Sequence, residues 1–394
     1  MKKISIAIIG AGVIGMSIAR SLAIKGAQVT LFEREFIGAG TSSTTFGWVN
    51  SNGKSPDSYH QLNVESMREH QLLQANSDTE GQWLDQCGTY EWAAEGEPGR
   101  WLTDRARKLR QSGYPAGLVS AASLRRRIPE LQLGRHHGEI WHFPSEGIIY
   151  PSIFLARLWS EAREHGAVLR APVGVVDITE TADAVALTLA NGEIWRGDLA
   201  VSATGRWTQA LVARLGQTLA MTDANQPDKL ACGFLGYTQP LPVQLRSNLI
   251  TPDMNLRPDG GGRLLLQALD LDGRADPAYL PSPEGFIGRE LLQRLRRILA
   301  NTQHARIGHI AVGQRSRPAD GLPAVGFITP LQRTYIVATH SGITLAPLLG
   351  RLVAEELIDE ARSPLLADYA PDRLLGKNAE DFRAAPGNPF PAAQ

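Results

Sequence analysis

Cysteine is scarce: the 394 residues hold two, Cys87 and Cys232. They are too few and too isolated for a disulfide framework or a zinc knuckle, and free thiols fit a reducing compartment. No run of about 18 apolar residues occurs, which excludes a membrane-spanning helix on pattern. The apolar stretch behind the N-terminal lysines, Ile4 to Ile9, is too short for a secretory signal core, and no small-residue cleavage site follows it. Charge of one sign is not in excess either. Lys+Arg and Asp+Glu are 40 each, so neither nucleic acid nor an anionic membrane is expected as a partner. The nine histidines show no HExxH or paired metal spacing, so no metal is expected. No GxSxG elbow is present, which removes the hydrolase reading. What remains is ordinary globular usage, 43% hydrophobic and 20% charged, expected of a cytoplasmic protein of two or three domains.

The best-defined unit lies at residues 4–33. Ile4 to Ile9 reads as a short buried parallel strand ending in glycine. Val13 to Ile24 carries apolar residues at helical spacing and stops at Gly26. Val29 to Phe32 reads as a second strand, which completes a βαβ unit. Residues 38–56, rich in Gly, Ser, Thr and Asn, form a long loop of the kind that is usually functional or disordered. The segment from about 60 to 135 is polar and helical in tone, and Pro151 opens a helix running to His165. Strands are expected around 167–178, 184–189 and 199–203, with Asn191-Gly192 as a hairpin turn. Short strand-like runs punctuated by proline fill 226–310. A buried strand at 335–339 then leads into a helix from Leu345 to Asp359, with Pro347 in its first turn.

This alternation predicts an α/β fold of two interleaved domains. Segments 1–55, 140–225 and 310–375 build a Rossmann-like nucleotide-binding domain. Segments 56–139 and 226–309 build a second, α+β substrate domain on a mixed or antiparallel sheet, and 376–394 form a loosely held tail.

The sharpest motif is Gly10-Ala11-Gly12-Val13-Ile14-Gly15, between the first strand and its helix. Gly10 permits the tight turn, Gly12 lets backbone approach a pyrophosphate, and Gly15 lets helix and strand pack closely. The helix N-terminus offers unpaired N–H groups and a positive dipole end. Glu33, 23 residues after Gly10, stands where a carboxylate meets ribose hydroxyls and disfavours a phosphorylated ribose. This motif does not separate NAD from FAD. Later, Ala203-Thr204-Gly205-Arg206-Trp207 closes another strand. The turn His340-Ser341-Gly342-Ile343-Thr344-Leu345-Ala346-Pro347 opens a helix whose dipole is worth ~0.3–2 kcal/mol to an anionic reduced cofactor ring.

On these residues the chain resembles the D-amino-acid oxidase-like FAD oxidoreductases, relatives of glycine oxidase, sarcosine oxidase and D-amino-acid dehydrogenase. The resemblance extends to the Gly38–Thr45 loop, Glu146–Pro151, Gly313–Gly326 and Pro371-Asp372-Arg373. It implies FAD extended across the first domain. Gly10, Gly12 and Gly15 then hold the pyrophosphate, Glu33 the ribose, and Ser42 and Ser43 the phosphates or ring edge. Val173 is placed at the adenine by its backbone and Gly342 at the flavin, with Arg34, Gly205, Ile343 and Thr344 completing the cofactor set. The family's covalent attachment points do not hold cysteine or histidine here, so the FAD is expected to be non-covalent.

By the same resemblance Arg315, five residues before Asp320, binds a substrate carboxylate through its bidentate fork, with Arg317 a partner of Asp320. Thr344 replaces the sarcosine oxidases' lysine and hydrogen-bonds the substrate; His340 replaces glycine oxidase's arginine. Tyr150 and Trp48 are assigned to the pocket wall. The implied reaction is oxidation of a C–N bond in an amino acid or secondary amine by hydride transfer to flavin N5, giving an imine that hydrolyses. Oxygen or an electron carrier then reoxidises the flavin. Two alternatives stay open: FAD-dependent oxidation of a 2-hydroxy acid, with His340 as base, and a non-catalytic FAD-binding subunit of a larger dehydrogenase.

Overall fold

The computed structural model describes residues 3–77, 81–134, 136–226 and 231–382; of the expected tail, 383–394 lie outside the described residues. Its helices are α1 (Val13–Ile24), α2 (Asp57–Ala75), α3 (Glu97–Gln111), α4 (Ala121–Arg127), α5 (Pro151–Glu164), α6 (Thr208–Val212), α7 (Phe286–Ile298) and α8 (Gly342–Asp359). None of the described helices is long and apolar enough to cross a membrane.

The first two strands, Ser5–Ile9 and Gln28–Phe32, pair in parallel at the centre of a six-stranded sheet. Leu199–Ser202 and then Thr334–Ala338 extend it in parallel on one side, and Val168–Arg170 does so on the other. Ala324–Phe327 closes one edge antiparallel. Parallel strands covered on both faces need continuous apolar runs, and Ile6, Ala7 and Ile8 are all fully buried. Helices α1, α5 and α8 share the core on one side of these strands. On the other side lies a three-stranded antiparallel sheet, Val175–Glu180, Val185–Leu189 and Ile194–Gly197.

The second large sheet has eight strands. It runs from Ile307–Gln314 through Cys232–Thr238, Leu264–Gln267, Asn255–Pro258 and Asn248–Ile250 to Thr89–Glu91, Ile140–Phe143 and Gly117–Val119. All its pairs are antiparallel except the one between Asn248–Ile250 and Thr89–Glu91. The strands at 140–143 and 307–314 thus pair with the second sheet rather than the first. Trp48–Val49, inside the long Ser/Thr-rich loop, pairs with Gly147–Ile149.

The strands at Leu84–Asp85, Thr89–Glu91 and Gly117–Val119 stand in the segment expected to be helical in tone, and two helices also differ from the sequence expectation. Helix α7 occupies a stretch read as strands and loops, although Ile287, Leu291, Leu295 and Ile298 repeat at helical spacing and are buried against this sheet. The arginines between them form its polar face, and the prolines upstream obscured the pattern. Helix α8 begins at Gly342 rather than Leu345, so Pro347 lies inside it and not in the first turn. A proline there has no N–H for the carbonyl four residues earlier, that of Ile343. Helix α2 supplies the missing donor: His70 Nε2 lies 2.9 Å from the Ile343 oxygen, and Ser66 Oγ donates to the Thr344 oxygen at 2.7 Å. Burial holds the His70 pKa down to about 4, against the opposing pull of those carbonyls. The ring is therefore neutral, with its proton on Nε2, and its buried Nδ1 has no partner among the described residues.

Candidate active site

The C-terminal ends of the parallel strands open onto a cleft of about 420 Å³. At one end lie Glu33, Arg34 and Gly174, in the middle Gly10, Gly12 and Ser42, and at the other His340, Gly342 and Ile343. Topology produces this shape. The first strand delivers the glycine turn, the second ends at Glu33, and the strand at 334–338 leads through His340 into α8.

At the glycine turn Gly10 and Gly15 each have a steric reason. Gly10 sits at φ 101°, and a Cβ on it would stand 2.7 Å from the Ala203 oxygen. A Cβ on Gly15 would stand 1.9 Å from the Gly10 oxygen, so Gly15 packs behind the turn rather than lining the cleft. The first turn of α1 carries no acidic residue. The Val13 N–H there donates to Ser42 Oγ at 3.0 Å, which ties the Ser/Thr loop to the helix N-terminus. Glu33 lines the cleft, and its two oxygens accept from the Ala11 and Glu35 N–H groups, each at 2.9 Å. Each carboxylate oxygen keeps a second lone pair for a hydroxyl.

Further along, the guanidinium of Arg206 lies 3.7 Å and that of Arg34 3.9 Å from the centre of the Trp207 ring. Burial and the neighbouring Arg34 charge lower the Arg206 pKa to about 10. Arg206 Nε and Ser316 Oγ both belong to residues on the cleft wall, and both are buried without a hydrogen-bond partner among the described residues. Orphaned donors in a cationic, glycine-floored groove fit a dinucleotide diphosphate, and the elongated shape fits FAD. Other expected contacts fall outside the lining. Ser43 Oγ donates to its own loop at the Gly40 oxygen, and the Val173 N–H donates to the Glu33 oxygen at 2.7 Å. Gly205 does line the cleft.

A smaller cavity of about 90 Å³ adjoins the cleft; Thr41, Thr45, His340 and Ile343 border both. Its wall brings Arg315 and Thr344 together with Trp48, Asn50, Lys54 and Gln267. Tyr150 lines neither cavity. Thr344 is buried at the start of α8, its Oγ1 3.4 Å from the Trp48 oxygen. Arg315 donates through Nη2 to Asp272 at 2.8 Å and through Nη1 to the Cys232 oxygen at 2.9 Å. Asp272 also accepts from the Phe234 N–H, and burial raises its pKa to about 6 despite the guanidinium. Asp320 pairs with Arg373 at 2.6 Å.

The field around this cavity is positive. His340 is pushed well below its usual pKa by burial, then by Lys54, Arg315 and Arg317. Lys54 falls to about 8 through burial and Arg317, with Glu146 opposing. Behind it, Glu146 is fully buried, accepts from Trp48 Nε1 and Tyr114 at 2.9 Å each, and rises to about 8 by burial. Sequence reasoning had passed over Lys54, Gln267 and Asp272. Only Lys54 left a trace there, as the single cation of the Ser/Thr-rich loop.

Comparison with known proteins follows the same lines. Glycine oxidase from Geobacillus kaustophilus is 25% identical over 94% of this chain and 97% of its own length. A crystal structure of glycine oxidase from that organism superposes with a TM-score of 0.81 at 23% identity, covering 95% of this chain and 99% of the other. The crystal structure of L-proline dehydrogenase from P. horikoshii gives 0.79 at 22% identity, over 94% and 98%. The profile of the FAD dependent oxidoreductase family matches residues 5–356. With that match over residues 5–356, the chain belongs to the FAD dependent oxidoreductase family and is an FAD enzyme.

Proposed function

We propose that this enzyme oxidises the C–N bond of a small amino acid or N-substituted amino acid to an imine, which water then hydrolyses. The observation that carries this reading is the small cavity at the end of the cofactor cleft. It is lined by two cations, Lys54 and Arg315, together with Asn50, Gln267 and Thr344. The relatives named glycine oxidase support it.

Bound FAD supplies the hydride acceptor. The chain supplies binding, orientation and exclusion of water. Positive potential from Lys54 and Arg315 attracts a carboxylate and opposes protonation of the neighbouring amine, so the amine enters with its lone pair available. Thr344 and the first turn of α8 fix the substrate against the ring end of the cleft. His340, a weak base in its buried cationic surroundings, hydrogen-bonds in its neutral form. Amine oxidation needs no protein base once the amine is neutral, whereas oxidation of a 2-hydroxy acid does; the depressed His340 basicity therefore favours the amine.

The test is an anaerobic screen of amino acids, N-methyl amino acids and 2-hydroxy acids, following loss of flavin absorbance. The expected result is bleaching by an amino acid, with ammonia or a free amine released on turnover. Bleaching by 2-hydroxy acids alone, or by nothing while flavin stays bound, would remove the proposal.

A further inference from the structure

We infer that Glu146 is a positioning residue of the small cavity, setting the wall that Trp48 and Asn50 present to the substrate by holding Trp48 directly and Ser51 through Tyr114. This rests on the reading that the substrate is an amino acid. The first observation is how the carboxyl group is shared. Its Oε2 accepts from Trp48 Nε1 and its Oε1 from the Tyr114 hydroxyl, each at 2.9 Å. The Tyr114 oxygen in turn accepts from the Ser51 N–H at 3.1 Å. One side chain thus fixes the Ser/Thr-rich loop at residues 48 and 51, with Asn50 between them. Ser51 is also held through its side chain, with Oγ 2.8 Å from His60 Nδ1. Trp48 Nε1 reaches Thr89 Oγ1 as well, at 3.1 Å, which ties the indole to the second sheet.

The second observation is how the acid is anchored and where the loop leads. The Gly88 N–H donates to the Glu146 carbonyl oxygen at 3.0 Å. The strand that follows, Gly147–Ile149, pairs with Trp48–Val49. A Cβ on Gly147 would stand 2.3 Å from the Asp85 oxygen, so this turn has little room to shift. On its other side the loop meets α8. Thr344 Oγ1 lies 3.4 Å from the Trp48 oxygen and 3.5 Å from the Asn50 nitrogen. Trp48, Asn50 and Thr344 all line the small cavity, whereas Glu146 lines neither cavity. Its influence therefore passes through the residues it holds.

The third observation is the chemistry of the two donors. An indole N–H can only donate, whereas a phenol hydroxyl donates or accepts. Glu146 is fully buried, and burial raises its pKa to about 8, so at pH 7 the neutral acid predominates. The neutral acid offers an acceptor to Trp48 and either a donor or an acceptor to Tyr114, and both senses of that second bond keep Tyr114 in place. Glutamine reproduces this pattern of donor and acceptor. Methionine fills the same volume and offers neither.

The experiment titrates the FAD-loaded enzyme with acetate at pH 7, read by perturbation of the flavin absorption band, and measures FAD affinity beside it by fluorescence titration. Glu146→Met should weaken acetate by about 10-fold, the scale of a buried donor left without its acceptor. Glu146→Gln should recover most of this, to within about threefold of wild type, because the hydrogen-bond pattern is kept. Tyr114→Phe should weaken acetate by about fivefold. Adding it to Glu146→Met should cost less than about a further twofold, since both act on Ser51 along one path. FAD affinity should stay within about twofold throughout, because the glycine turn lies apart from this network. Acetate affinity unchanged in Glu146→Met and Tyr114→Phe overturns the inference. So does Glu146→Gln binding no better than Glu146→Met, or a double variant whose losses multiply. A hold on FAD that weakens in step with acetate also overturns it, by giving Glu146 a general structural role. Should Glu146→Met not fold, the other two single variants decide: a loss in Tyr114→Phe with near wild-type binding in Glu146→Gln supports the inference, and any other pair of results overturns it. These outcomes leave the amino-acid reading intact, whereas wild-type enzyme with no saturable response to acetate removes both.

Discussion

At the diphosphate end of the cleft the backbone determinants lie within one strand–helix–strand run, Gly10 to Glu33, with Ser42, Arg206 and Ser316 adding side chains from further along the chain. The small cavity instead draws Lys54, Gln267, Arg315 and Thr344 from segments spread over nearly three hundred residues. The first end works through backbone: a positive φ at Gly10, a close approach at Gly15, and N–H groups at a helix start. The second works through side chains, whose directions depend on long-range packing. At Gly10 and Gly15 the backbone leaves no room for an added atom, whereas a side-chain site can be altered residue by residue without losing the fold.

The sharpest way to break the contrast is at Gly15. Gly15→Ala places a methyl group 1.9 Å from the Gly10 oxygen, and neither backbone can retreat without moving the first strand. Overpacking on this scale costs about 3 kcal/mol. We expect purified Gly15→Ala to hold FAD on the order of 100-fold more weakly, measured by flavin fluorescence titration. Affinity within twofold of wild type would show that the turn has slack the packing denies.

Arg315 gives the next largest effect and tests the side-chain end. Arg315→Ala leaves Asp272 buried beside an unfilled cationic position, a change that costs about 3 kcal/mol in comparable buried pairs. Urea denaturation at pH 7 should show it. Arg315→Ala combined with Asp272→Asn should recover a substantial part of the loss, because the uncompensated charge is gone. Equal losses in the single and double variants would mean that Arg315 contributes by packing alone.

This difference explains what could be read in the sequence. The βαβ unit, the later buried strands and the second, largely antiparallel sheet follow local patterns: apolar runs, Gly stops and the Asn191-Gly192 turn, where Gly192 has φ 85°. Gly10, Gly12, Glu33 and Gly342 could be put on the cleft wall because neighbours in sequence set their positions. Arg315 could be placed beside a cavity by motif, but not its engagement by Asp272, since nothing local links positions 43 apart. Lys54 stood out only as the one cation of its polar loop, and its place beside the cavity could not be read, because a lysine there looks solvated until the loop is folded under α8. Helix α7 was missed because its period was read through its proline-rich surroundings.

A third prediction concerns α2 and α8, which join the two ends. His70 supplies the donor that Pro347 removes. Its folded pKa, about 4, lies below the ordinary value of 6.5, so between those values the unfolded chain binds the proton and the folded chain does not. Stability from this group is therefore full above pH 6.5 and lost as pH falls towards 4. His70→Gln retains a donor and removes the titration. It should cost about 1 kcal/mol at pH 7 and flatten the stability profile between pH 6.5 and 4 by up to about 1.4 kcal/mol per pH unit. His340 is depressed in the same direction, while Glu146 and Asp272, raised by burial, act oppositely over this range; the His70 contribution is therefore read as the difference between wild type and His70→Gln. An unchanged slope in His70→Gln would show that the ring titrates normally and is not sealed in.

The smallest effect is expected where the two modes meet, at Ser42. Its Oγ accepts from the Val13 N–H, which leaves its own hydrogen available to the cleft. Ser42→Ala frees that N–H for an anion while removing one hydroxyl donor, and the two changes largely offset. The net loss should be about 1 kcal/mol, roughly a fivefold weaker hold on FAD, with acetate binding at the other end unaltered. A far larger loss would mean that the diphosphate is held mainly by the Ser/Thr loop, a side-chain device like the small cavity. No loss at all would mean that backbone N–H groups alone suffice, and the contrast between the two ends would be sharper than the present geometry requires.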